Sequence, residues 1–270
     1  SLIHIGENQA AAAGTFTATY IGGSVNYAAL LDVTGLAADD PSFVSAATAV
    51  DNLFSGLFLA LLAVLPGIHW VAKRFIDRDH SEGEVVVEET GKPTAMSLTL
   101  SITFALVVVT LGDLITGFLR ENFGEAWGNW RYAIITLLAL IPATIIPKQM
   151  AKLHGGYEIG IGLSFVFFAA IAAGADVVGL VQSAPVLIGL IAIMLTIHAL
   201  VTFGLGSVFK LSLPEMITAS NAAILGATTA PALAAAKGWK DLVTPGVLVG
   251  VLGYAIGTII ATAVYQWWPG

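Results

Sequence analysis

Apolar residues fall in long blocks along the chain, not in the short alternations of a soluble fold. Residues 53–71, 96–112 and 159–175 run 19, 17 and 17 positions without a formal charge, 177–209 runs 33 and 242–270 runs 29. A helix needs about 20 mostly apolar residues to cross a bilayer. Each block therefore predicts a span, and the longest predicts a span plus a buried connection. Residues 131–147 are shorter and closed by proline, which predicts either a span or a re-entrant piece. Residues 8–31 and 214–236 are apolar but dotted with Gly, Ser, Thr and Asn. The pattern predicts an all-α, polytopic membrane bundle of about eight elements.

One stretch breaks this pattern. Residues 73–93 carry four basic and six acidic side chains within 21 positions, as a solvated tether between two membrane halves does. The division expected is 1–72, a charged linker at 73–95, and 96–270. Within the linker, Val85-Val86-Val87 predicts a short strand or an apolar patch. If all eight elements cross, Lys73, Arg74, Arg78, Lys92, Lys148, Lys152 and Lys210 share one side and Arg120, Arg131, Lys237 and Lys240 the other. The positive-inside bias then places the linker in the cytoplasm and the protein, multi-pass, in the cell membrane.

Composition removes most other classes. Hydrophobic residues make up 57% of the 270 positions and charged ones 11%, against roughly a quarter in soluble domains. With no cysteine, disulfides, zinc–thiolate sites and cysteine nucleophiles are excluded. A net charge of -7 argues against a nucleic-acid partner, and acidic loops suit an organism with high internal salt. Neither HExxH, GxSxG nor a paired GxGD signature occurs, so no enzyme and no cofactor beyond a Na⁺ ion is expected.

The two polar-dotted segments resemble each other. Thr17-Ala18-Thr19 is echoed by Thr218-Ala219-Ser220, Gly23 by Gly226, Ala29-Leu30 by Ala232-Leu233 and Gly35 by Gly238. Pro41 and Pro245 then open the long helix that follows in each half. Matching order favours a duplication over chance. The second signature follows 114 residues of membrane sequence at 96–209 and the first only 16, and Ser1 is not a methionine. Absent upstream helices are therefore expected, to be supplied by a further chain or lost from this one, with a homodimer as the other partner.

Helices broken within a bilayer survive only inside protein or beside a wet cavity. In transporters their freed carbonyls hold cations and their half-helix N-termini face anions. Interruptions are expected near Gly22–Gly23 and Leu225–Gly226, close together in the bundle centre. Tight helix packing by small residues is the competing explanation. Thr19, Ser24, Asn26, Ser220, Asn221 and Thr229 are the candidate solute contacts. Carboxylates within apolar sequence are costly and mark ion or proton sites. Asp51 with Asn52, and Asp176, are the candidate ion ligands. Asp113 is read as interfacial, Glu215 as a helix cap and His198 as a hydrogen-bonded core residue.

Five blocks carry a family resemblance: 17–27 (Thr-Ala-Thr-Tyr-Ile-Gly-Gly-Ser-Val-Asn-Tyr), 49–53 (Ala-Val-Asp-Asn-Leu), 167–176 (Phe-Phe-Ala-Ala-Ile-Ala-Ala-Gly-Ala-Asp), 219–222 (Ala-Ser-Asn-Ala) and 245–257 (Pro-Gly-Val-Leu-Val-Gly-Val-Leu-Gly-Tyr-Ala-Ile-Gly). In order, over nearly the whole chain, they resemble the YjcL-like integral membrane family, a family of unknown function numbered 819. The chain departs from it at Ile224-Leu225-Gly226-Ala227, where the family reads closer to Gly-Gly-Pro. The resemblance implies a longer N-terminus and an outline similar to cation-coupled symporters with two repeats and crossing broken helices. The function expected is a secondary transporter of a small solute, an anion among the options, coupled to Na⁺ or H⁺ and working by alternating access. A non-transporting subunit or scaffold and a holin-associated type of exporter or channel are the alternatives.

Overall fold

The computed structural model describes residues 8–82, 91–173 and 177–268. Among them the fold is helical: α1 (Gln9–Val33), α2 (Pro41–Val64), α3 (Ala95–Phe123), α4 (Arg131–Ile145), α5 (Gly156–Ala173), α6 (Val177–Val208), α7 (Leu213–Ile224), α8 (Thr229–Ala236) and α9 (Val243–Gln266), joined by short helical turns. The starts follow ordinary capping chemistry. Asp40 accepts the Phe43 amide ahead of Pro41, and reciprocal capping boxes at Thr94–Ser97 and Ser212–Glu215 open α3 and α7.

Four stretches are long and apolar enough to cross a membrane: Pro41–Gly67, Ala95–Phe123, Ala184–Val208 and Lys240–Gln266. Their outward faces are apolar, with Leu106, Leu114, Leu200 and Val208 all more than 60% exposed. This is a membrane protein. The eight comparable elements expected from hydropathy are not equivalent, because the remainder are short, like the 15-residue α4, or interrupted.

Packing sorts the ends onto two faces. On the linker face, Ser207 at the end of α6 donates to the Arg74 carbonyl at 2.8 Å. On the far face, the Gln266 side chain meets Trp130 at 3.0 Å and the Ala126 carbonyl at 2.7 Å. Helices α2 and α6 run side by side in the same direction, with Phe58 against His198 and, beyond the end of α2, Phe75 against Phe203. Between them and α7 lies the main core, including Val44, Leu62, Leu187, Ile191 and Ile217.

Neither signature segment crosses. Along α1, Gly14 lies against Tyr265 and Gly22 against Gly253, so its first half runs antiparallel to α9. After the bend, Asn26 reaches the Tyr254 carbonyl and Leu30 clusters with Ala18 and Ala261, so the second half returns. Asn8 then donates to Asp40 at 3.2 Å, closing the root of a hairpin that enters from the far face. The second signature mirrors this from the opposite end of α9. Thr218 on α7 and the Ala230–Pro231 backbone on α8 both lie against Gly246, and Ala227 lies against Gly250.

The re-entrant pieces are thus the signatures themselves. The alternative candidate, 131–147, runs between the faces, with Ile135 against Gly112 and Ser97 donating to the His154 carbonyl beyond its end. Lys237 and Lys240 consequently sit on the linker face, where nine of the eleven basic residues gather. Residues 73–82 are docked against the protein, while Val85-Val86-Val87 lies outside the described residues.

Candidate functional site

The two hairpin tips meet on the glycine-rich face of α9. Gly23 bends α1 with φ 69° and ψ -173°, a combination that a side chain all but forbids. Gly226, φ 89°, performs the second reversal between α7 and α8. Their downstream counterparts Gly35 and Gly238 also match, with φ 72° and 77°. Four glycines of α9, at 246, 250, 253 and 257, allow the tips to approach. A Cβ on Gly253 would overlap the Ile21 carbonyl, and one on Gly250 would overlap the Ala227 backbone. Gly253 is also the middle residue of the span Lys240–Gln266. That span is about 40 Å long at 1.5 Å per residue, against a hydrocarbon core of roughly 30 Å. The tips therefore meet at mid-span.

Tyr254 joins them. Its carbonyl accepts the Asn26 side-chain amide at 3.0 Å, and its hydroxyl accepts the Ala227 amide at 3.2 Å. Asn221 staples the second tip: its Oδ1 accepts the Thr229 hydroxyl at 2.7 Å and its amide donates to the Thr229 carbonyl at 3.2 Å. Buried polar groups without partners cost roughly 1–3 kcal/mol each, so these bonds are what make a polar tip tolerable. Ser24 and Thr228 stand exposed at the two tips. The second half of α1 and α8 both begin here, directing two positive dipole ends at the tips, beside the closing carbonyls of the halves that precede them.

The other expected residues fall around this centre. Ser220, fully buried, bonds His198 Nε2 at 2.9 Å across the α6–α7 interface, which makes His198 the hydrogen-bonded core residue expected. Thr19, on the descending half of α1, and Tyr20 are the polar side chains facing the Asp51 carboxylate. Both hydroxyls are within interaction reach of the carboxylate, so Asp51 is faced by neutral hydroxyls and, among the described residues, by no cation. Asn52 is exposed and does not join Asp51, because neighbours on a helix point about 100° apart. Asp176 lies outside the described residues. No group of three or more His, Asp or Glu with metal-site geometry occurs among the described residues. Asp113 is a bidentate acceptor for Arg131 at the far face, which also holds Asp32 through Tyr132.

Tyr254 is the residue that sequence reasoning passed over. Its signal was the four-, three- and four-residue spacing of the α9 glycines around it, which marks a face that another backbone must approach.

The family described as "Protein of unknown function (DUF819)" matches residues 2–268. The uncharacterized membrane protein YjcL of Bacillus subtilis (strain 168) is 30% identical over 274 residues, covering 94% of this chain and 67% of that protein. No solved structure matches. The chain belongs to the DUF819 family.

Proposed function

We propose that this DUF819 protein is a secondary transporter of a small, anionic solute, driven by Na⁺ or H⁺ through alternating access. One observation carries the proposal: two broken-helix hairpins enter from opposite faces and meet at the middle of α9. Irregular backbone at membrane depth survives only buried in protein or beside a wet cavity, and here both tips carry an exposed hydroxyl residue. Two matched breaks with paired positive-φ glycines support an inverted repeat, the architecture in which such sites recur.

In this proposal the tips bind the solute. The exposed Ser24 and Thr228 hydroxyls and the two helix starts would receive its anionic group. Asn26, Asn221 and Thr229 would hold the tip backbones in register, with Thr19 and Ser220 behind them. Asp51 would hold the coupling cation or proton, because an intramembrane carboxylate met by neutral hydroxyls alone invites a positive charge. Asp176 stays a second candidate from its sequence setting. The collection of nine of eleven basic residues on the linker face supports a cytoplasmic linker in a cell membrane.

The test is a thermal-shift panel on purified protein with Na⁺, K⁺, pH steps and small carboxylates, followed by proteoliposome uptake under an ion gradient. A ligand that binds only the folded state stabilises it by mass action, by about 2.7 kcal/mol at a hundred times its Kd, and so raises the melting temperature. Cation-dependent stabilisation that also enhances a carboxylate's effect supports symport. A non-transporting subunit is favoured by the same glycine packing, and would respond to none of these ligands.

A further inference from the structure

Residues 73–82 follow the short helix His69–Ala72 that succeeds α2, and run as an irregular, charged segment across the base of the second hairpin. The Arg74 carbonyl accepts the Ser207 hydroxyl at 2.8 Å, and Ile76 pairs with Ser212 in an isolated backbone bridge. Arg78 donates to Glu215 at 2.7 Å. His80 comes next, and it is only 5% exposed. Its Nδ1 lies 2.9 Å from Asp241 Oδ2, and its Nε2 lies 2.7 Å from Ser212 Oγ.

Those two partners are the two roots of one hairpin. Ser212 caps the start of α7, while Asp241 lies in the turn between α8 and α9. A single imidazole from the first half of the chain therefore ties together both legs of a hairpin from the second half. The order Ser–His–Asp resembles a hydrolytic triad, but Ser212 is fully buried and its Oγ also accepts the Glu215 amide at 3.3 Å. A nucleophile that no substrate can reach performs no hydrolysis. What the arrangement supplies is a cross-tie.

The first hairpin is secured differently. Its root is closed by its own flanks through Asn8 and Asp40, and it is anchored to α4 by Tyr132 and Arg131. Among the described residues, only the second hairpin is held at its base by an irregular connecting segment.

We propose that residues 73–82 are a strap that holds the second hairpin closed toward the linker face, with His80 as its clasp. Releasing His80 separates both roots at once, because each leg loses its tie to the same ring. The strap concerns the local stability of the hairpin and does not depend on what, if anything, passes the tips.

The test is hydrogen exchange on the full purified chain. In His80→Ala, amides of Leu213–Ile224 and Thr229–Ala236 should exchange at least tenfold faster, while those of Gln9–Val33 keep their wild-type rates. Should that variant fail to fold, Arg78→Ala and Asp241→Ala loosen the strap from its more exposed side, and each should give a severalfold increase in the same two helices. Unchanged rates in those helices would overturn the strap. So would acceleration spread evenly over α1 and α9, which is the mark of a general packing role. Because exchange is read without solute or gradient, absence of uptake would remove the transport proposal and leave this result standing.

Discussion

Gly23 carries a backbone constraint that defines the first hairpin. Its φ of 69° and ψ of -173° lie in a region essentially reserved for glycine. Gly23→Ala should cost on the order of 1–3 kcal/mol and lower the melting temperature. Gly56 offers the matched control, since it lies inside α2 and a Cβ there meets nothing within 4 Å. Gly56→Ala should leave stability unchanged or raise it by up to about 1 kcal/mol, from helix propensity alone. At Gly253 the constraint is contact rather than torsion, and Gly253→Ala should cost about 1–3 kcal/mol by pushing Ile21 off α9. For Asp51, Asn keeps the shape and removes the charge. Asp51→Asn should stay folded yet lose any stabilisation by Na⁺, measured by thermal shift. A variant that kept the wild-type Na⁺ response would remove Asp51 from the ion site. Asn26, Asn221 and Thr229 stood out in the sequence as candidate solute contacts, and each takes a partner within the protein. Which partners they take was not legible, since the Tyr254 carbonyl lies 228 positions from Asn26. Asn52 was grouped with Asp51 by adjacency, and the helix turns it outward.

At the scale of elements, the breaks were legible and the reversals were not. Glycine pairs and hydroxyl-rich runs mark where a helix cannot continue, and both interruptions fall where those residues stand. Hydropathy measures the length of an apolar run but not whether the chain turns back halfway, so two hairpins look like two crossings. The distribution of basic residues was blurred by the same error, and sharpens once Lys237 and Lys240 join the linker face. The charged linker likewise looked solvated, yet residues 73–82 find partners set by tertiary contact. Glu215 shows how that docking depends on pH. Burial pushes its carboxyl up, but the Ser212 amide and hydroxyl and the Arg78 guanidinium outweigh this and hold it below its ordinary value of 4.5. A carboxyl lowered by folding stabilises above its unfolded pKa, and that contribution is lost as pH falls through the folded value. Protection of α7 amides in hydrogen exchange should therefore fall below about pH 4.5 after correction for intrinsic rates, and Glu215→Gln should flatten that dependence.

For the whole molecule, the class and the family follow from features spread along the entire chain, namely long apolar blocks and several ordered motifs. The proposed function rests on one place, where two hairpins from opposite faces touch the middle of α9. Alternating access, a sealed scaffold and an open pore differ in who can reach that place. The chain contains no cysteine, so a single one introduced at Ser24 or Thr228 reports without background. Such variants, reconstituted in proteoliposomes, can be labelled with a membrane-impermeant maleimide from either face, with and without Na⁺ or a pH step. The account predicts reaction at both tips from either face, with the cation shifting the preferred face by severalfold. Labelling from neither face, or equal labelling from both that ignores the cation, would contradict it.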